Sequence, residues 1–169
     1  MPLSAEDFEA FLSDVVLCLS IQHRGRVVVV WPRGADAVVE TLSDHYERQS
    51  AADAGDGSPP GRLAARLKEL LGEAVTVTCR ALSARGSGSD PELIYRTESD
   101  TLLLTIRGGF RLRVSPFDAA HEPEPLGPLT LRLRAGEVIY TPRGFICEFS
   151  EARARCLLLE LSLGAQGSG

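Results

Sequence analysis

Cys147 is the most reactive side-chain type in a run of otherwise apolar residues, and its neighbours decide what it can do. A thiolate is a nucleophile and a metal ligand, but a cysteine becomes one near neutral pH only beside a cation or a comparable stabilising group. Phe145, Ile146 and Phe149 flank it instead, which reads as an inert buried thiol, with nucleophile or ligand as the alternative. Tyr95 can close the mouth of a β-barrel or hydrogen-bond a ligand. Glu98 and Asp100 are carboxylates on a polar stretch, read as solvated loop groups unless burial or a partner turns them to acid-base work. Tyr140, Thr141 and Arg143 lie beside an apolar strand and are candidates for contact with a ligand at a barrel rim, while Pro142 and Gly144 shape the corner between them.

The remaining chemistry is scattered. His23, His45 and His121 are too far apart in sequence to define a site. Arg107, Arg111, Arg113, Arg132 and Arg134 occupy alternate, outward positions of strand-like runs. They form a basic strip if their strands adjoin, suited to carboxylates of the same sheet or to an acidic protein partner. Gly108-Gly109 is a turn signal and not a phosphate cradle, because no P-loop lysine follows it.

The chain of 169 residues is long enough for one sizeable core. A net charge of -5 gives no overall pull toward nucleic acid, and of 18 basic residues only Lys68 is a lysine. The four cysteines, Cys18, Cys79, Cys147 and Cys156, show no C-x-x-C spacing, which argues against a zinc cluster or a secreted disulfide framework. No apolar run is long enough to cross a membrane and the first residues are acidic, so a cytoplasmic location is the expectation.

The elements that must position these groups follow from periodicity. Ser4 and Asp7 make a capping box before a helical stripe of Phe8, Phe11, Leu12 and Val15. The β-branched run between Arg26 and Pro32 predicts a buried strand. A helix is predicted over Ala37 to Arg48, a loop over Ser50 to Gly61, and a helix over Arg62 to Leu71 ending at Gly72. Beyond Gly72 the period changes to two. Val75, Val77 and Cys79 alternate with Thr76, Thr78 and Arg80, and Leu102, Leu104 and Ile106 with Leu103, Thr105 and Arg107. Gly108 and Gly109 then predict a tight hairpin into Phe110, Leu112 and Val114. Leu129, Leu131 and Leu133, then Val138 to Tyr140, then Leu157 to Leu163 continue the pattern. Many short antiparallel strands behind N-terminal helices predict a mainly β, double-sheet jelly roll rather than a βαβ fold.

From Val75 to Leu163 the sequence resembles the cupin fold, a double-stranded β-helix, of the JmjC-like 2-oxoglutarate oxygenases, in particular the branch that hydroxylates ribosomal proteins. Its most specific element is Leu133-Arg-Ala-Gly-Glu-Val-Ile-Tyr-Thr-Pro-Arg-Gly144. The resemblance implies a histidine ligand after that corner, where this chain has Cys147, and a His-x-Asp pair where it has Tyr95 and Thr97. A slip of one residue would bring Glu98 into the second position. The lysine that would hold the distal carboxylate of 2-oxoglutarate is matched by Phe110, and Arg111 and Arg113 point to the opposite face. Tyr95, Thr97 and Cys147 are a poor set for ferrous iron. The helical extension and winged-helix domain of larger relatives find no room after Leu163, so dimerisation through them is not expected.

The domain reading is N-terminal helical and strand elements packed on the barrel at 1–72, a cupin-like β-barrel core at 73–163, and a flexible tail at 164–169. The functional expectation is a metal-independent cupin-like protein that binds a peptide or small organic ligand, or supports a catalytic partner. No cofactor, metal, nucleic acid or membrane is expected. The ligand contacts would be Tyr95, Glu98, Tyr140, Arg143 and Cys147, with no catalytic residue assigned. An open cavity where they converge would favour ligand binding, and a filled interior would favour scaffolding. The alternatives are a divergent Fe(II)/2-oxoglutarate hydroxylase, or a metal-free isomerase or cyclase in which Glu98 and His121 would have to meet.

Overall fold

The structure, a computed structural model, describes residues 2–21, 25–48, 55, 57–83, 91–117 and 128–164. Its N-terminal part supplies α1 (Ala5–Ile21), β1 (Val28–Val30), α2 (Ala35–Arg48) and α3 (Pro59–Leu71). The capping box forms at the head of α1: Ser4 Oγ accepts from the Asp7 N–H at 3.0 Å and donates to Asp7 Oδ2 at 2.6 Å. Phe11, Leu12, Val15 and Leu19 are the buried stripe that follows. α3 starts earlier than the sequence suggested. Ser58 caps it, and Pro59 and Pro60 occupy its first turn, where a missing N–H costs nothing. Gly72 ends it in the left-handed region, its N–H bound to Lys68 O at 2.9 Å.

The strands are β2 (Val75–Leu82), β3 (Leu93–Arg96), β4 (Asp100–Arg107), β5 (Gly109–Pro116), β6 (Leu129–Arg134), β7 (Val138–Thr141), β8 (Phe145–Ser150) and β9 (Cys156–Leu163). They form two antiparallel sheets, β1-β7-β4-β9-β2 and β3-β8-β5-β6, faced together as a jelly roll of the cupin type. The three helices cover the outer side of the five-stranded sheet, where Leu102, Leu104, Ile106, Val138, Tyr140 and Leu159 meet Phe11, Leu12, Val38, Leu42, Leu63 and Leu67. A second core lies between the sheets and holds Leu103, Phe110, Leu112, Ile139, Cys147, Phe149 and Leu158.

Three local expectations are corrected. Gly108-Gly109 does not close a hairpin: β4 and β5 belong to different sheets, and the chain turns a corner between them. Gly108 has φ +81°, and a Cβ there would come within 2.6 Å of Cys156 Sγ. The run Val28–Val30 is an edge strand paired only with β7 among the described residues; it is half-buried, and Trp31 beside it is largely exposed. Arg107 leaves the basic strip because β4 belongs to the other sheet, and the register shift between Thr105 and Arg107 turns its guanidinium to Ser43 and Glu47 of α2. His23 and His121, half of the loop read over Ser50 to Gly61, and residues 165–169 of the predicted tail lie outside the described residues.

Candidate functional site

β3 and β8 place Tyr95 directly opposite Cys147, both directed between the sheets. Alternation along β8 puts Phe149 on the same side two residues later. The rings of Tyr95 and Phe149 stack with centroids 5.6 Å apart, and Phe149 meets Phe110 of β5 at 5.5 Å. Phe110, Leu112, Ile139, Cys147, Phe149, Cys156 and Leu158 are each 0% exposed, so this part of the interior offers water no surface. Among the described residues, this part of the interior is packed.

One end of the stack is polar. Arg80 of β2 donates to Glu160 of β9, Nε to Oε2 at 2.6 Å, and its guanidinium lies 4.9 Å from the centre of the Tyr95 ring. The carboxylate of Glu160 is only 11% exposed, so Arg80 neutralises an otherwise costly buried charge. The Tyr95 hydroxyl is buried beside the Glu160 carboxylate, close enough to interact with it but without a hydrogen bond of good geometry. Burial foremost, then the nearby Glu160 charge, raises its pKa far above the usual phenol range. Burial likewise pushes the Cys147 thiol up to about 12, against a weaker opposing pull from Thr141. At neutral pH Cys147 is a protonated thiol, neither an effective nucleophile nor a ready metal ligand.

The other candidates separate. Tyr140 is 1% exposed, but on the helix side of the five-stranded sheet, away from Tyr95 and Cys147. Glu98 is exposed, and so is Arg143, whose backbone N–H donates to Asp100 Oδ1 at 3.0 Å. Thr97 is fully engaged as a brace for the Pro142–Phe145 corner. Its hydroxyl donates to Pro142 O at 2.7 Å and accepts from the Phe145 N–H at 3.0 Å, while its backbone bonds Phe145 and Gly144. Thus Tyr95 and Cys147 are brought together, Glu98 and Arg143 stand exposed, and Tyr140 faces another core. Arg80 and Glu160 were missed from sequence. Their signal was a charge at an inward position of an alternating strand.

These residues do not fit iron and 2-oxoglutarate. The matched ligand positions hold a phenol and a thiol that burial keeps protonated and a threonine committed to the backbone. The matched lysine position holds Phe110, wholly enclosed. Among the described residues, no three His, Cys, Asp or Glu side chains gather as a metal would need.

The outer face of the four-stranded sheet is different in character. Arg96 of β3, Arg111 and Arg113 of β5, and Arg132 and Arg134 of β6 project from it. Arg111 and Arg132 are direct cross-strand partners, a repulsive pairing relieved by Glu151, which bonds both at 2.7 Å. Glu148 lies 3.6 Å from Arg113, and Arg96 stacks on Phe117 at 4.1 Å. On the strands of this face, arginines outnumber carboxylates.

No protein-family model matches the sequence, and no curated protein matches it. Among solved structures, a prolyl-4-hydroxylase from Pseudomonas putida superimposes over 100% of this chain and 98% of its own, at TM-score 0.58 and 14% identity. The E. coli protein ycfD aligns over 64% of this chain and 32% of its own, at TM-score 0.41 and 18% identity. A cupin superfamily protein from Desulfitobacterium hafniense aligns over 53% of this chain and 66% of its own, at TM-score 0.35 and 19% identity. The first likeness is one of fold at low identity: the chain is a cupin-fold protein without an evident metal-binding cluster among its described residues. Among the described residues no helix is long and apolar enough to cross a membrane.

Proposed function

We propose that this protein is a metal-independent, cupin-fold binding module that engages an acidic peptide segment of a protein partner, with the barrel as a rigid support instead of a reaction chamber. The observation that carries this reading is the Tyr95–Phe149–Phe110 stack, which fills the place where the resemblance would require iron and 2-oxoglutarate. Recognition then falls to the surface, and the arginine-rich outer face of the four-stranded sheet has the charge for an acidic segment. Arg143, exposed beside the corner, is open to a contact of the same kind.

The test is direct binding of a labelled Glu-rich peptide and of its Gln-substituted counterpart, at low salt and at about 0.15 M. Saturable binding that weakens with salt and disappears in a variant with Arg111, Arg113, Arg132 and Arg134 changed to Gln supports the reading. Equal binding of both peptides, or of neither, refutes it. Anaerobic titration with ferrous iron and 2-oxoglutarate is the separate check on chemistry. One iron held per chain, with a charge-transfer band on adding the oxoacid, would restore the hydroxylase reading.

A further inference from the structure

The helical layer contains an unassigned cavity. A space of about 230 Å³ opens between the head of α1, the middle of α2 and the head of α3. Leu3, Phe8, Val38, Leu42 and Leu63 give it apolar walls, and Arg62 stands at its edge. Arg62 is exposed, and it ion-pairs with no described carboxylate. That sets it apart from Arg33, Arg66, Arg80, Arg107, Arg111 and Arg132, which all pair with acids. Two helices, α1 and α3, also begin at this cavity, so the positive ends of their dipoles lie near its opening. Glu6 and Asp7 in the first turn of α1 offset part of that field, and Asp7 is held by Ser4.

We propose that this cavity binds a free medium-chain monocarboxylate, the acyl chain against the apolar walls and the carboxylate at Arg62. Size supports the choice. At about 30 Å³ per water the space equals roughly eight waters, which suits a chain of about eight heavy atoms and is too small for a drug-sized ligand. Charge selects the head group, since a guanidinium that meets no described carboxylate can donate two hydrogen bonds to a carboxylate and repels an ammonium. The cavity lies on the helix side of the five-stranded sheet, away from the arginine-rich face of the other sheet, so its occupancy does not depend on the peptide reading.

The experiment is an amide NMR titration of the full chain with octanoate, octanol and octylamine, each below its micelle concentration. Octanoate is expected to bind one to one, with the largest shifts at Leu3, Phe8, Val38 and Leu63. Arg62→Gln is expected to weaken octanoate about tenfold, the loss of a charge-assisted pair at an exposed rim, and to leave octanol unchanged. Thr41→Phe, which places a ring in the cavity, should abolish binding of both with the circular dichroism spectrum retained. If Thr41→Phe does not fold, Arg62→Gln on the exposed rim still decides. No saturable octanoate binding, equal affinity for octylamine, or indifference to Arg62→Gln would overturn the proposal.

Discussion

Removing the Tyr95 hydroxyl should strengthen this protein. The group is buried near Cys147 and the Glu160 carboxylate, and its approach to Glu160 falls short of good hydrogen-bond geometry. A buried hydroxyl left unpaired costs about 1–3 kcal/mol relative to its hydration in the unfolded chain. Tyr95 as a residue is only partly buried, so the lower end applies. Tyr95→Phe keeps the stack on Phe149 and the contact with Arg80, and it is expected to gain about 1 kcal/mol. For a chain of this size that corresponds to a rise in Tm of roughly 2–4 °C. Thr141→Val is a companion test from β7: its hydroxyl is buried in a residue 0% exposed and has only the Cys147 thiol, a weak partner, beside it. Both positions neighbour Cys147, so the two gains should not simply add. Urea and thermal unfolding with unchanged m values give the measurement. A loss above about 1 kcal/mol for Tyr95→Phe would show that the hydroxyl is paired in solution, by water or a ligand, and would refute the closed-interior argument.

Three further outcomes follow from neighbouring geometry. Cys147 should resist iodoacetamide near neutral pH in the folded chain and react only after unfolding. Because folding raises its pKa from 9.0 to about 12, its contribution to stability is whole below pH 9.0 and is lost as pH climbs toward about 12. Cys147→Ala should flatten that part of the alkaline stability curve, leaving the share due to Tyr95. Glu160→Gln should cost about 1–2 kcal/mol in chemical unfolding, a figure discounted because the Arg80 side chain is 35% exposed. Gly108→Ala should cost about 3 kcal/mol, combining a left-handed backbone with a Cβ pressed on Cys156, and a neutral result would show that the corner relaxes freely.

Features that depend on adjacent residues were legible in the sequence. The Ser4–Asp7 cap, the Gly72 stop and the period-two alternation of Val75 to Arg80 are local chemistry, and each forms as its spacing dictates. What failed depends on partners distant in sequence. Two glycines permit a reversal but do not say whether the next strand joins the same sheet, so Gly108-Gly109 made a corner where a hairpin was expected. A valine run tolerates either a central or an edge position, and β1 found the edge. Tyr140 shows the same limit for the candidate site. Alternation separates it from Ile139 and Thr141, but helices cover one side of the sheet and strands the other, so both sides are apolar and the phase does not name the interior. Arg107 escaped because β4 joined the other sheet, and a register shift there changed the side it faces.

The aromatic stack also links two losses that the sequence shows as separate. Tyr95 stands at one matched ligand position and Phe110 at the matched cosubstrate position, and Phe149 touches both rings. In a close-packed interior, placing a lysine at 110 buries a charge against Phe149, and placing a histidine at 95 puts a smaller, polar ring where Phe149 and Arg80 share a phenol. Neither change alone restores a donor set, because Cys147 stays protonated and Thr97 still holds the Pro142–Phe145 corner. The metal and cosubstrate positions act here as one packing unit, and that coupling is the physical reason to look for recognition on the outer surfaces.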